Sequence, residues 1–73
     1  MDKHLKQFNE YLKGKTIKNI TWLGDKDMET LMWYKKPVVI HFTDGSILIP
    51  QSDDEGNDGG VLFYGSDGVL PTL

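Results

Sequence analysis

The 73 residues contain no cysteine and no arginine. Without cysteine there are no disulfides and no thiolate zinc site, and the chain is compatible with a reducing compartment. Without arginine it lacks the side chain best suited to bidentate recognition of phosphates and bases, which argues against nucleic acid as a partner. No run approaches the roughly 20 apolar residues of a membrane span. The opening stretch, Met1 to Gln7, is polar and no apolar run follows it, so no secretory leader is expected and the expected location is the cytoplasm. Phosphate loops, nucleotide fingerprints, nucleophile elbows and zincin helices are all missing, and no internal repeat is present.

What is present is an uneven charge. All eight lysines lie at or before Lys36, where they face five acids and leave a net +3. From Pro37 onward there are six acids and no base other than His41, a net −6. Such a dipolar chain can steer toward a basic partner or pair with a second copy of itself. The length allows one domain, residues 1–73, with a core of modest size.

The central stretch Pro37–Tyr64 holds two β-rich runs around Asp44-Gly45, a dipeptide that favours a tight hairpin because both residues tolerate positive φ. A two-residue turn there would pair Phe42 with Ile47, Ile40 with Ile49 and Val38 with Gln51, making that face the core face. Val39, His41, Thr43, Ser46, Leu48 and Pro50 would then form a mixed second face. Val61–Tyr64 reads as a further strand, Gly65–Gly68 as a turn, and Val69–Leu73 as an edge segment that accommodates Pro71.

Ahead of this stretch, Met1, Leu5, Phe8 and Leu12 fall on one stripe, which predicts a helix over Asp2–Lys13 stopped by Gly14 and packed on a sheet. Thr16–Leu23 reads as a strand. Its alternation puts Ile17 with Leu23 and Ile20 with Trp22, so either both faces are covered or a bulge intervenes. Asp25–Trp33 reads as a short helix capped by Asp25 or Asp27, with Met28, Leu31 and Met32 on one face, and Pro37 forbids its continuation. The expected class is α+β: a three- to five-stranded, mostly antiparallel sheet with one or two short helices packed on one face.

The candidate site is the acidic loop Ser52–Gly60. Asp53, Asp54, Glu55 and Asp58 place four carboxylates in six residues, with Asn57 among them. Their mutual repulsion would be relieved by a basic partner or a cation. Calcium suits a flexible oxygen-rich loop, but the spacing departs from an EF-hand. Counted from Asp53, the glycine position holds Asp58; counted from Asp54, the third and twelfth positions are Gly56 and Gly65. No metal site is therefore expected, and Asp53, Asp54 and Asp58 would be the ligands if one existed. The plain alternative is a solvated connection whose Asp and Asn side chains make local turns.

Trp33 and Tyr34 are adjacent and cannot both face inward in regular structure, so one is expected in the core and the other at an interface. His41 reads as a half-buried structural histidine and His4 as an incidental surface residue. No catalytic residue and no cofactor is expected.

The runs Phe42–Pro50 and Ser52–Gly60, with Gly14-Lys15-Thr16-Ile17 ahead of a strand and Trp33-Tyr34 ahead of Pro37, resemble a pattern in small, uncharacterised bacterial and phage single-domain proteins. The resemblance covers about two-thirds of the chain and carries no activity with it. It implies an accessory protein or inhibitor that acts by binding. The sequence thus points to a non-enzymatic binding module, homo-oligomeric and most simply a dimer. Its partner-contacting residues would be Asp53, Asp54, Glu55, Asn57, Asp58, Trp33 and Tyr34. The alternatives are a small-ligand or calcium-binding protein, and a small hydrolase using loop carboxylates.

Overall fold

The computed structural model describes residues 2–73, so the expected contribution of Met1 to the first helix lies outside them. Among the described residues the chain is α+β, with two helices and two small antiparallel sheets. Helix α1 is Lys3–Leu12, strand β1 Ile17–Trp22, helix α2 Asp25–Leu31, β2 Val38–Phe42, β3 Ile47–Leu48, β4 Leu62–Tyr64 and β5 Gly68–Leu70. The first sheet has the order β1-β2-β3 and the second pairs β4 with β5 across a 3₁₀ turn at Gly65–Asp67. The strand expected at Val61–Tyr64 does not extend the hairpin sheet. The third strand of that sheet is β1, and the chain beyond Gly60 forms a separate two-stranded pair.

Strand β2 is the centre of the molecule. Val38, Val39, Ile40 and Phe42 are buried, so residues on both of its faces are out of water, while β1 and β3 pair with its two edges. On one face Val39 packs with Leu23 and Trp33, and Met28 of α2 and Ile49 close the cluster. Pro37, immediately before β2, is fully buried.

The hairpin register differs by one residue from the expected one. Ile40 pairs with Leu48 and His41 with Ile47. The connection has three residues, Thr43–Gly45, closed by Phe42 N–H donating to the Ser46 carbonyl (3.0 Å) and Gly45 N–H to the Phe42 carbonyl (3.1 Å). A two-residue turn of the expected kind needs positive φ at both central positions, and only Gly45 (φ +89°) has it. Asp44 stays at negative φ because its carboxylate is used locally. It accepts the Ser46 N–H (2.9 Å) and pairs with Lys15. Side chains alternate along a strand, so the extra loop residue puts Phe42 and Ile47 on opposite faces. Phe42 is buried and Ile47 exposed.

In β1 the bulge resolves the irregular alternation. Ile17 pairs with Phe42 and Asn19 with His41, leaving Lys18 as the extra residue. Ile17 thereby joins Ile20 and Trp22 on one face, and on the other Thr21, opposite Val39, reaches diagonally to His41, its hydroxyl 2.8 Å from the His41 Nε2.

Helix α2 starts after Gly24 without a side-chain cap. Asp25, expected as a cap, pairs with Lys36 instead. The helix ends two residues earlier than its pattern predicts, at a left-handed Met32 (φ 59°), after which the Trp33 N–H returns to the Met28 carbonyl (3.1 Å). Helix α1 is capped by Asp2, which accepts the His4 N–H at 2.7 Å. The packing of its stripe on the sheet is only partial. Phe8, Tyr11 and Leu12 border Phe42 and Leu48, but a groove of about 400 Å³ lies between them and no α1 residue is buried.

Candidate functional site

The acidic loop is folded onto the body of the molecule. Its neck is a short antiparallel bridge between Gln51 and Gly59, with Ser52 N–H donating to the Asp58 carbonyl and Gly60 N–H to the Pro50 carbonyl, both at 3.0 Å. Inside the loop Asp53 acts as an organiser. Its carboxylate accepts the Glu55 N–H (3.0 Å), the Asn57 N–H (3.3 Å) and the Asn57 side-chain amide (2.8 Å). These bonds, the Asn57 side chain first, hold the Asp53 carboxyl below its ordinary pKa.

Asp58 fastens the loop to the segment after α2. One carboxylate oxygen accepts the Lys35 N–H (2.8 Å), the Tyr34 N–H (3.0 Å) and the Gly59 N–H (2.8 Å). Its pKa is lowered too, with the bond from the Lys35 amide as the largest cause. From the other side the Trp33 indole N–H donates to the Gly56 carbonyl at 2.7 Å. Gly59 is buried where no side chain fits: a Cβ there would come within 2.1 Å of the Lys35 carbonyl oxygen and 2.7 Å of the Pro37 ring.

The residues singled out from the sequence are therefore brought together. Trp33 is 7% exposed and anchors the loop, whereas Tyr34 is 91% exposed. The core position of one ring is as expected; the other, expected at an interface, is exposed. Asp53 and Asp58 spend their carboxylates on backbone amides, so they are structural members of the loop. Asp54 and Glu55 lie exposed at its outer turn, and Asn57 bonds back to Asp53. Met32 joins the exposed set and was missed, because nothing in its sequence neighbourhood signals the left-handed turn that turns it outward.

Among the described residues no group of three or more His, Asp or Glu side chains converges as a metal would require. Asp53 and Asp58, among the loop carboxylates that a small hydrolase would use, have lowered pKa values, the opposite of what a general acid near neutral pH needs. A second groove, of about 440 Å³, opens beside Trp22, Leu31 and Ile47. Of the polar side chains that line it, His41 and Thr21 are bonded to each other, and Asp27 and Thr30 complete the set. His4 is exposed, beside Asp2 and stacked on Phe8. Among the described residues no helix is long and apolar enough to cross a membrane. Comparison with protein families, with curated proteins and with solved structures finds no match for this chain.

Proposed function

We propose that the chain is a non-enzymatic binding module that contacts a protein partner through Tyr34 and the outer turn of the acidic loop. The observation that carries this reading is the pairing of a buried anchor with an exposed ring at adjacent positions. Trp33 and Asp58 lock the segment and the loop together, so Tyr34 projects from a backbone fixed on both sides. A large ring held in place loses little entropy on binding, which is why aromatic side chains on rigid supports dominate contact energies. Asp54 and Glu55 supply exposed negative charge on the loop that Asp58 ties to the Tyr34 amide, in a half of the chain that has no lysine or arginine. The chemistry fits a basic segment of a partner carrying an apolar side chain. The resemblance to small bacterial and phage proteins makes the cytoplasm of a bacterium the setting to search, and a blocking or accessory role the form that binding takes.

The test separates surface from scaffold. Tyr34→Ala, alone and with Asp54→Asn and Glu55→Gln, leaves the fold intact by circular dichroism and lowers capture of the partner from a bacterial lysate at least tenfold. Equal capture by wild type and the triple variant overturns the assignment.

A further inference from the structure

Two elements remain only partly covered. Helix α1 has ten residues, fewer than the roughly 12–15 that an isolated helix needs to hold in water, and none of them is buried. Phe8 is 51% exposed, and Leu5 and Leu12 on the same stripe are exposed as well. The stripe is flanked by His4, Asn9 and Tyr11, with Lys13 and Lys15 beside its carboxyl end. The β4–β5 pair is a lone two-stranded sheet, marginal by itself. Phe63 is 80% exposed and lies directly across from Val69, also exposed, so the two share one face.

The areas agree with a missing contact. A compact protein of 8.3 kDa exposes about 4,600 Å². This chain exposes 5870 Å², about 1,300 Å² more, against the roughly 800 Å² per partner of a standard interface. Charge decides what occupies the surface. Residues 2–22, which include α1, carry five lysines and two acids, and residues 61–73, which include β4–β5, carry one acid, Asp67, and no base. Stripe on stripe would oppose +3 to +3. The α1 stripe on a β4–β5 face brings opposite signs together and joins apolar to apolar.

We infer that two copies of this chain form a closed dimer in which α1 of each packs on the β4–β5 face of the other. Because each copy offers both patches, one two-fold axis satisfies both contacts and no patch is left over. The contact does not involve Tyr34 or the acidic loop's outer turn.

Sedimentation of the intact chain tests this. A dimer at micromolar concentration is expected, weaker in 1 M than in 0.1 M salt. A strict monomer at several hundred micromolar overturns the inference, and so do assemblies that keep growing with concentration, which an open contact would give. Phe8→Glu and Phe63→Lys each yield a folded monomer, since both positions are exposed in the single chain. Mixed in equal amounts they associate again, with at least tenfold lower affinity than wild type, because one of the two contacts survives in the mixed pair. Wild-type dimerisation of Phe63→Lys means that α1 packs elsewhere and rejects the arrangement. If Phe63→Lys does not fold, Val69→Ser is read in its place, with at least a tenfold loss of affinity expected. Tyr34→Ala dimerises normally, which keeps this result separate from partner capture.

Discussion

Among the described residues the buried apolar side chains of the core all fall between Leu23 and Phe42, whereas α1 at one end and β4–β5 at the other bury none. The ends are not poorer in apolar residues: Leu5, Phe8 and Leu12 compare with Val38, Ile40 and Phe42 in size. The difference lies in closure. The middle is crossed by connections far apart in sequence: β1 with β2, Trp33 with Gly56, and Asp58 with Lys35. Each brings a second layer against an apolar face. The ends make local hydrogen bonds and few remote ones. Lys15 at the end of the α1 connection, paired with Asp44 and lying over the Phe42 ring, is one of these, and the Leu73 N–H to the Lys36 carbonyl (2.8 Å) is another. Amphipathic pattern alone, then, gives a helix or a hairpin a face to bury without ensuring that the chain buries it.

The comparison breaks most completely at Trp33. Trp33→Ala removes a core ring and leaves the Gly56 carbonyl without its donor. A loss of about 3–5 kcal/mol is expected, comparable to the whole stability of a domain this small. Urea denaturation followed by near-ultraviolet circular dichroism will show a largely unfolded protein at room temperature. Gly59→Ala comes next. The methyl meets the Lys35 carbonyl, which belongs to the backbone and does not swing aside, so a loss of about 1–3 kcal/mol is expected in the same experiment.

Acid should loosen the middle in a defined direction. Asp58, Asp53, Asp44 and Asp25 all have pKa values lowered in the fold, through the Lys35 amide, the Asn57 side chain, Lys15 and Lys36 respectively. A lowered folded value means that the folded state favours the ionised group. The stabilisation is complete above the unfolded aspartate value of about 3.9 and is lost as pH falls through the lower folded values. Asp58→Asn flattens part of that decline when stability is measured from about pH 5 down to about pH 2.

Hydrogen exchange sharpens the contrast without mutation. At concentrations that keep the chain monomeric, the amides of β2 exchange only through global unfolding, and those of α1 and β4–β5 exchange through local opening. Equal protection in all three would show that the ends are as firmly held as the middle. The smallest effect is expected at Tyr34: Tyr34→Ala changes stability by no more than about 0.5 kcal/mol, because its ring touches mainly solvent.

Much of this fold is legible in residue order. The Asp2 cap and Gly14 (φ +80°) bound α1, Pro37 precedes the central strand, and the stray alternation of Ile17 and Ile20 announces the bulge at Lys18. The Trp33-Tyr34 pair divides between core and surface as adjacent residues must. The hairpin register was not legible. Asp44-Gly45 suits both a two-residue and a three-residue connection, and the choice rests on Lys15 and Ser46 meeting the Asp44 carboxylate, a contact across 29 positions in the case of Lys15. Nor was the fate of the acidic loop. Four clustered carboxylates look like a ligand set until Tyr34, Lys35 and Trp33 are placed beside them.

Local chemistry, acting over a short reach of chain, determines where this protein turns, caps and bulges, and it determines the division of charge at Pro37. Tertiary structure alone decided which face of each strand is inside, that Asp53 and Asp58 hold backbone amides, and that the apolar sides of α1 and β4–β5 stay open. The physical reason is the range of the forces involved. Backbone sterics and capping bonds act over a few residues, while burial depends on which distant segment arrives to exclude the water.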